Sequence, residues 1–146
     1  MKRFAFFMAA LFLLSPFTAV TEYISVKVPV ANVRAEPSES GDLLWQVEAY
    51  YPMLVLEKKG DWYRFRDFEG DEGWIFASLV NNDETVITTK DDCNVRSGPG
   101  TQYEILFKTE AGIPFKVLKK SGKWLNVLHA DGDRGWINIS LVWPNQ

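Results

Sequence analysis

Apolar residues fall along this chain in two styles. Phe4 to Leu14 (FAFFMAALFLL) is an unbroken apolar block. Beyond Tyr23, apolar residues come in short runs that alternate with polar ones and are cut by Gly, Pro, Asp and Ser. Alternation is the signature of extended backbone, whose successive side chains point to opposite faces. In the first half it predicts strands at Ser25–Val28, Asn32–Arg34, Met53–Lys58, Trp62–Arg66 and Gly73–Phe76. No helical period lasts beyond one turn. Ala77–Leu79 and Ile139–Leu141 suit a short helical turn before a last strand. Short strands separated by turn residues predict an all-β fold, a small barrel or sandwich.

The pattern is written twice. Asn32-Val33-Arg34 returns as Asn94-Val95-Arg96, and Gly73-Trp74-Ile75 as Gly135-Trp136-Ile137, each 62 residues on. Between them Pro37 falls on Pro99, Pro52 on Pro114, Gly60 on Gly122 and Trp62 on Trp124, without a gap. Chance does not place so many Trp and Gly in register. The chain is read as two like domains, 22–82 and 83–146, joined at the polar run Asn81 to Glu84. A sixty-residue barrel buries only roughly 60% of its unfolded surface. Its repeated Trp, Gly and Val are therefore also needed simply to fold.

The N-terminal block has a different meaning. Met1-Lys2-Arg3 precedes it, and Ser15-Pro16 breaks it. The block is too short to cross a bilayer core, which takes roughly 20 residues. A basic start, a short apolar run and a small-residue exit predict a signal peptide, residues 1–21, removed on export. No cysteine lies near the cut, so a lipid anchor is not expected. The mature chain is expected to be periplasmic or extracellular, with no membrane span.

The runs NVRAEPS and KKGDWYRFRDFEGDEGWIFASLV, with NVRSGPGTQYEILFK and KKSGKWLNVLHADGDRGWINISLV in the second copy, resemble bacterial SH3 (SH3b) domains. The resemblance spans roughly Tyr23 to Trp143 and implies two tandem SH3-like β-barrels. It also implies a cell-envelope role, with peptidoglycan or an envelope protein or peptide as partner. The first copy departs from the pattern, with Glu36 and Ser38 replacing Gly98 and Gly100. Those glycines suit a turn with positive φ, so a reshaped first loop is expected.

Strand alternation selects the binding candidates. Tyr63 and Phe65 match Leu125 and Val127 and face the core; Trp62 and Trp124 then point away. Ile75 and Ile137 face the core, which sends Trp74 and Trp136 to the opposite side. The Gly-Asp-Trp run also resembles the segment that supplies the groove tryptophan of eukaryotic SH3 domains. An indole off the core is a flat apolar surface with one N–H donor, suited to sugar rings or peptides. Loops folded over these rings would instead make them a second small core. If Trp62 lines a groove, Arg64 and Arg66 are expected to flank it and grip an anionic group; Asn126 beside Trp124 would favour a neutral amide or hydroxyl. Arg34 and Arg96 share a slot better suited to an ion pair with a loop carboxylate.

Composition narrows the chemistry. The 146 residues include six Trp but one cysteine and one histidine, Cys93 and His129. That excludes an intramolecular disulfide, Cys-cluster metal sites and two-histidine zinc motifs. A net charge of −3 argues against nucleic-acid binding. Residues 22–84 carry 13 acidic and 6 basic side chains, net −7, while residues 85–146 carry 6 and 8, net +2. The two surfaces have therefore diverged, for different partners or for solubility. No nucleophile–base pair, paired carboxylates or phosphate loop repeats across the units. The expectation is a non-catalytic exported binding module, not an enzyme, without cofactor or metal. A protein–protein adaptor is the alternative.

Overall fold

The computed structural model describes Ala10, Leu13 and residues 20–145. The expected signal segment lies almost wholly outside the described residues. Among the described residues, no helix is long and apolar enough to cross a membrane.

The chain folds into two antiparallel sheets of seven strands each. The first comprises β1 Tyr23–Val26, β2 Val30–Arg34, β3 Leu43–Glu48, β4 Pro52–Lys59, β5 Trp62–Arg66, β6 Glu72–Phe76 and β7 Val80–Asn81. The second comprises β8 Thr85–Thr88, β9 Cys93–Arg96, β10 Ile105–Thr109, β11 Pro114–Ser121, β12 Trp124–Leu128, β13 Arg134–Asn138 and β14 Val142–Trp143. The strand orders, β3-β2-β6-β5-β4-β1-β7 and β10-β9-β13-β12-β11-β8-β14, are the same order in corresponding strands. The protein is all-β, two tandem SH3-like barrels. Short 3-10 turns at Ala77–Leu79 and Ile139–Leu141 lead into the last strands, as the pattern predicts.

The repeat holds down to irregularities. The ladder shifts register between Val55 and Glu57 in β4, and between Val117 and Lys119 in β11. Gly60 and Gly122 each open the two-residue turn that follows, both at φ 58°, where a Cβ is strained. The strand absent from the sequence reading is β3. Its first two residues, Leu43 and Leu44, are both apolar and both exposed, so they break the alternation that reveals a strand. β3 is also an edge strand, paired on one side only.

Val33, Phe65 and Ile75 are wholly buried, as are Val95, Val127 and Ile137. The cores are matched in volume rather than in residue. The buried pair Phe65 and Met53 of the first barrel becomes Val127 and Phe115 in the second. Moving bulk between two buried slots keeps packing dense, which a one-sided change would not. Gly73 and Gly135 are fixed by close approach: a Cβ on either would collide with the Cγ1 of Val33 or Val95.

The two glycines expected to supply positive φ do not. Neither Gly98 nor Gly100 has positive φ. Gly98 is small because the Tyr103 ring lies where its Cβ would be, and Gly100 because the Gln102 side chain does. In the first barrel the pair is inverted. Glu36 replaces Gly98, and Gly41, packed against Glu36, replaces Tyr103. The loop keeps one large and one small partner across the same gap.

Candidate functional site

One groove recurs on both barrels, built from the same slots. The first, about 690 Å³, is lined by Asn32 and Arg34 of β2, Glu39 of the following loop, Trp62 of β5, Phe76 of β6 and Leu79 of the 3-10 turn. The second, about 270 Å³, is lined by Asn94, Arg96, Thr101, Trp124, Asn138 and Leu141. Every one of these residues stands 62 positions after its counterpart.

The arginine at the shared slot holds the loop that walls the groove. Arg34 Nη1 donates to the Gly41 carbonyl at 3.0 Å. Arg96 Nη1 donates to the carbonyls of Thr101 and Tyr103 at 3.0 and 3.1 Å. The expected ion pair with a loop carboxylate is thus replaced by bonds to loop carbonyls. A guanidinium presents several fixed donors, and the tight loop turns its backbone oxygens towards them.

All six Trp are half-buried. Trp62 and Trp124 line the two grooves. Trp74 and Trp136 do not. They lie one row further along the ladder, in register with Arg34 and Arg64, and with Arg96 and Asn126. Trp45 packs against the core beside Phe65, ring centroids 6.2 Å apart.

The expected flanking role of Arg64 and Arg66 is corrected. Both share a strand face with Trp62, but neither lines the groove. Arg64 donates Nε to Glu57 at 3.0 Å and Nη1 to Glu72 at 2.6 Å, and Arg66 lies 3.8 Å from Glu72. These carboxylates on neighbouring strands draw the guanidinium groups along the sheet, away from Trp62. Asn126 likewise lies outside the lining of the second groove. Arg34, Phe76, Asn94 and Asn138 also line the grooves, and strand alternation alone does not pick them out. The signal was their repetition at the constant offset beside the Trp slots.

Cys93 is buried in the second core and donates Sγ–H to the Lys90 carbonyl at 3.1 Å. Burial pushes its thiol up from the ordinary range. His129 sits 2.9 Å from Asp131 through Nδ1, at the turn that follows β12.

Known proteins resemble the chain as follows. The bacterial SH3 domain profile matches residues 27–82 and again 89–144. YrvJ of Bacillus subtilis, which bears the name of an N-acetylmuramoyl-L-alanine amidase, is 28% identical over 148 residues, spanning 93% of this chain and 28% of YrvJ. LytH of Staphylococcus epidermidis, named as a probable cell wall amidase, is 34% identical over 64 residues, spanning 43% of this chain and 22% of LytH. The chain thus spans about a quarter of the length of these relatives. A solved NlpC/P60 family protein from Bacillus cereus aligns with TM-score 0.40 and 16% identity, over 83% of this chain and 55% of that one. The names of the relatives overturn the expectation that the chain is not an enzyme. YrvJ, which aligns with both copies, and LytH, which aligns with about one, are named as amidases, so the lack of a catalytic motif within the repeat does not exclude a place in amidase chemistry.

Proposed function

The chain belongs to the bacterial SH3 domain family, and from that premise we propose that it engages peptidoglycan at the cell envelope in the service of cell-wall amide hydrolysis. The observation that carries the reading is the pair of equivalent grooves, each with a half-buried Trp beside an arginine-braced loop. A concave site with an aromatic wall and a few placed polar groups is the ordinary form of a ligand site. Relatives named as cell wall amidases supply the wall as the setting. The signal-like N-terminus supports export to it. Two grooves on one chain act on a repeating polymer as a bivalent holder, since the second contact forms at high effective concentration. Retention of the purified chain on peptidoglycan sacculi tests this. Pelleting with sacculi supports it, and a chain left wholly in the supernatant overturns it.

A further inference from the structure

The two grooves share their floor but not their hydrogen bonding. In the first, Gln46 Nε2 donates to Asn32 Oδ1 at 2.8 Å. In the second, Lys108 stands in the slot of Gln46, and its ammonium lies 3.6 Å from Asp92 instead. Asn94 Oδ1, the counterpart of Asn32 Oδ1, is left buried with no donor. A buried acceptor without a donor is destabilising and calls for an explanation. Arg96, two residues on in the same strand, spends Nη1 on the Thr101 and Tyr103 carbonyls, and no donor reaches the Asn94 oxygen.

We infer that Asn94 is a specificity-determining residue of the second groove, where it accepts a hydrogen bond from a secondary-amide N–H of a peptide lying across Trp124. The inference rests on the wall-binding reading above. Asn94 itself lines the groove, and the terminal torsion of an Asn is broad, so a swing of the carboxamide turns its oxygen to an occupant. The donor is best uncharged, because Arg96 lines the same groove and would repel an ammonium. A peptide plane is also flat and narrow. It suits a groove of about 270 Å³ with one indole wall, whereas the first groove has about 690 Å³ and a second aromatic ring. In the first groove Gln46 already occupies the acceptor, so the two copies read different chemistry.

The test copies one barrel into the other. Lys108→Gln gives Asn94 the internal donor that Asn32 has, while Lys108→Ala removes the lysine and leaves Asn94 free. The probe is diacetyl-L-lysyl-D-alanyl-D-alanine, titrated into the full chain and followed by the Trp124 indole N–H signal in NMR. The expected result is binding by the wild type and by Lys108→Ala, with a roughly three- to tenfold loss in Lys108→Gln, the worth of one hydrogen bond. Lys108→Gln should melt no lower than the wild type, which separates lost binding from lost fold. Equal binding by Lys108→Gln overturns the inference. So does a Trp124 response to chitotriose but not to the peptide, which would make the donor a sugar hydroxyl. Retention on sacculi with no peptide response overturns this inference alone; no retention on sacculi overturns the wall-binding reading with it.

Discussion

Trp62 stands directly opposite Phe76 across the β5–β6 ladder, their ring centroids 5.4 Å apart, whereas the residue opposite Trp124 is Asn138. Phe76 leaves its 3-10 turn without a side-chain cap, while Asn138 Oδ1 caps its own by accepting from Ser140 N at 3.0 Å. One substitution thus exchanges a groove wall for a turn cap. It gives the first groove an aromatic corner and the second a polar one.

Trp62→Ala and Trp124→Ala, made singly, are expected to remain folded by circular dichroism, because neither ring belongs to the buried core. Each should weaken sacculus retention by about 2 kcal/mol, as removal of a central aromatic anchor does. The double variant should lose retention altogether. Folded variants with undiminished retention would show that the grooves are not the binding sites.

Gly73→Ala should destabilise the first barrel and Gly135→Ala the second, each by about 1–3 kcal/mol. The new methyl meets Val33 Cγ1 or Val95 Cγ1 in a fully buried layer. Urea denaturation should resolve the loss. Truncating the opposing valine as well, in Gly73→Ala/Val33→Ala, should recover part of it. The sum of the two single losses in the double variant would refute the steric account.

The repeat made most of this fold legible. Strand β5 runs from Trp62 to Arg66, as its alternation says, and the core positions of the two copies coincide because the offset forces equivalent environments. Alternation fixes the face a side chain starts from, but not where a long side chain ends. Arg64 leaves the strand on the same face as Trp62, and only the ladder reveals that Glu57 and Glu72 flank it. The sequence presents Gly98 and Gly100 as backbone devices, whereas the reason for each is a large side chain a few residues on. Composition within one loop does not distinguish those causes. The link to amidases has no motif inside the repeat, and came only from the relatives.

Cys93 is expected to be inert in the folded chain. It is buried, its Sγ–H bonds the Lys90 carbonyl, and burial disfavours the thiolate that would react. A chromogenic disulfide reagent should label it slowly in buffer and fast in denaturant. Cys93→Ala should cost under about 1.5 kcal/mol, because Ala31 fills the same slot in the first barrel, equally buried. Fast labelling of the native protein would show an opening that the packing does not.

Tyr51 supplies a pH dependence confined to one barrel. Its hydroxyl donates to Asp67 Oδ2 at 2.9 Å, and Asp67 Oδ1 accepts from the amides of Glu69 and Asp71. Burial first, and the Asp67 carboxylate second, push the Tyr51 phenol well above its usual value of 10.0. Folding therefore favours the protonated phenol. The stabilisation is complete below about pH 10, where the unfolded tyrosine is still protonated, and falls as pH rises beyond it, because only the unfolded chain then releases the proton. The second barrel has Ile113 and His129 in these two slots, so it lacks this alkaline loss. Tyr51→Phe should cost about 1–3 kcal/mol at neutral pH, by leaving a carboxylate oxygen of the buried Asp67 without its donor. The same variant should flatten the fall in first-barrel stability above pH 10, as read by urea denaturation at a series of pH values. An unchanged alkaline slope would show that folding does not hold the Tyr51 phenol protonated.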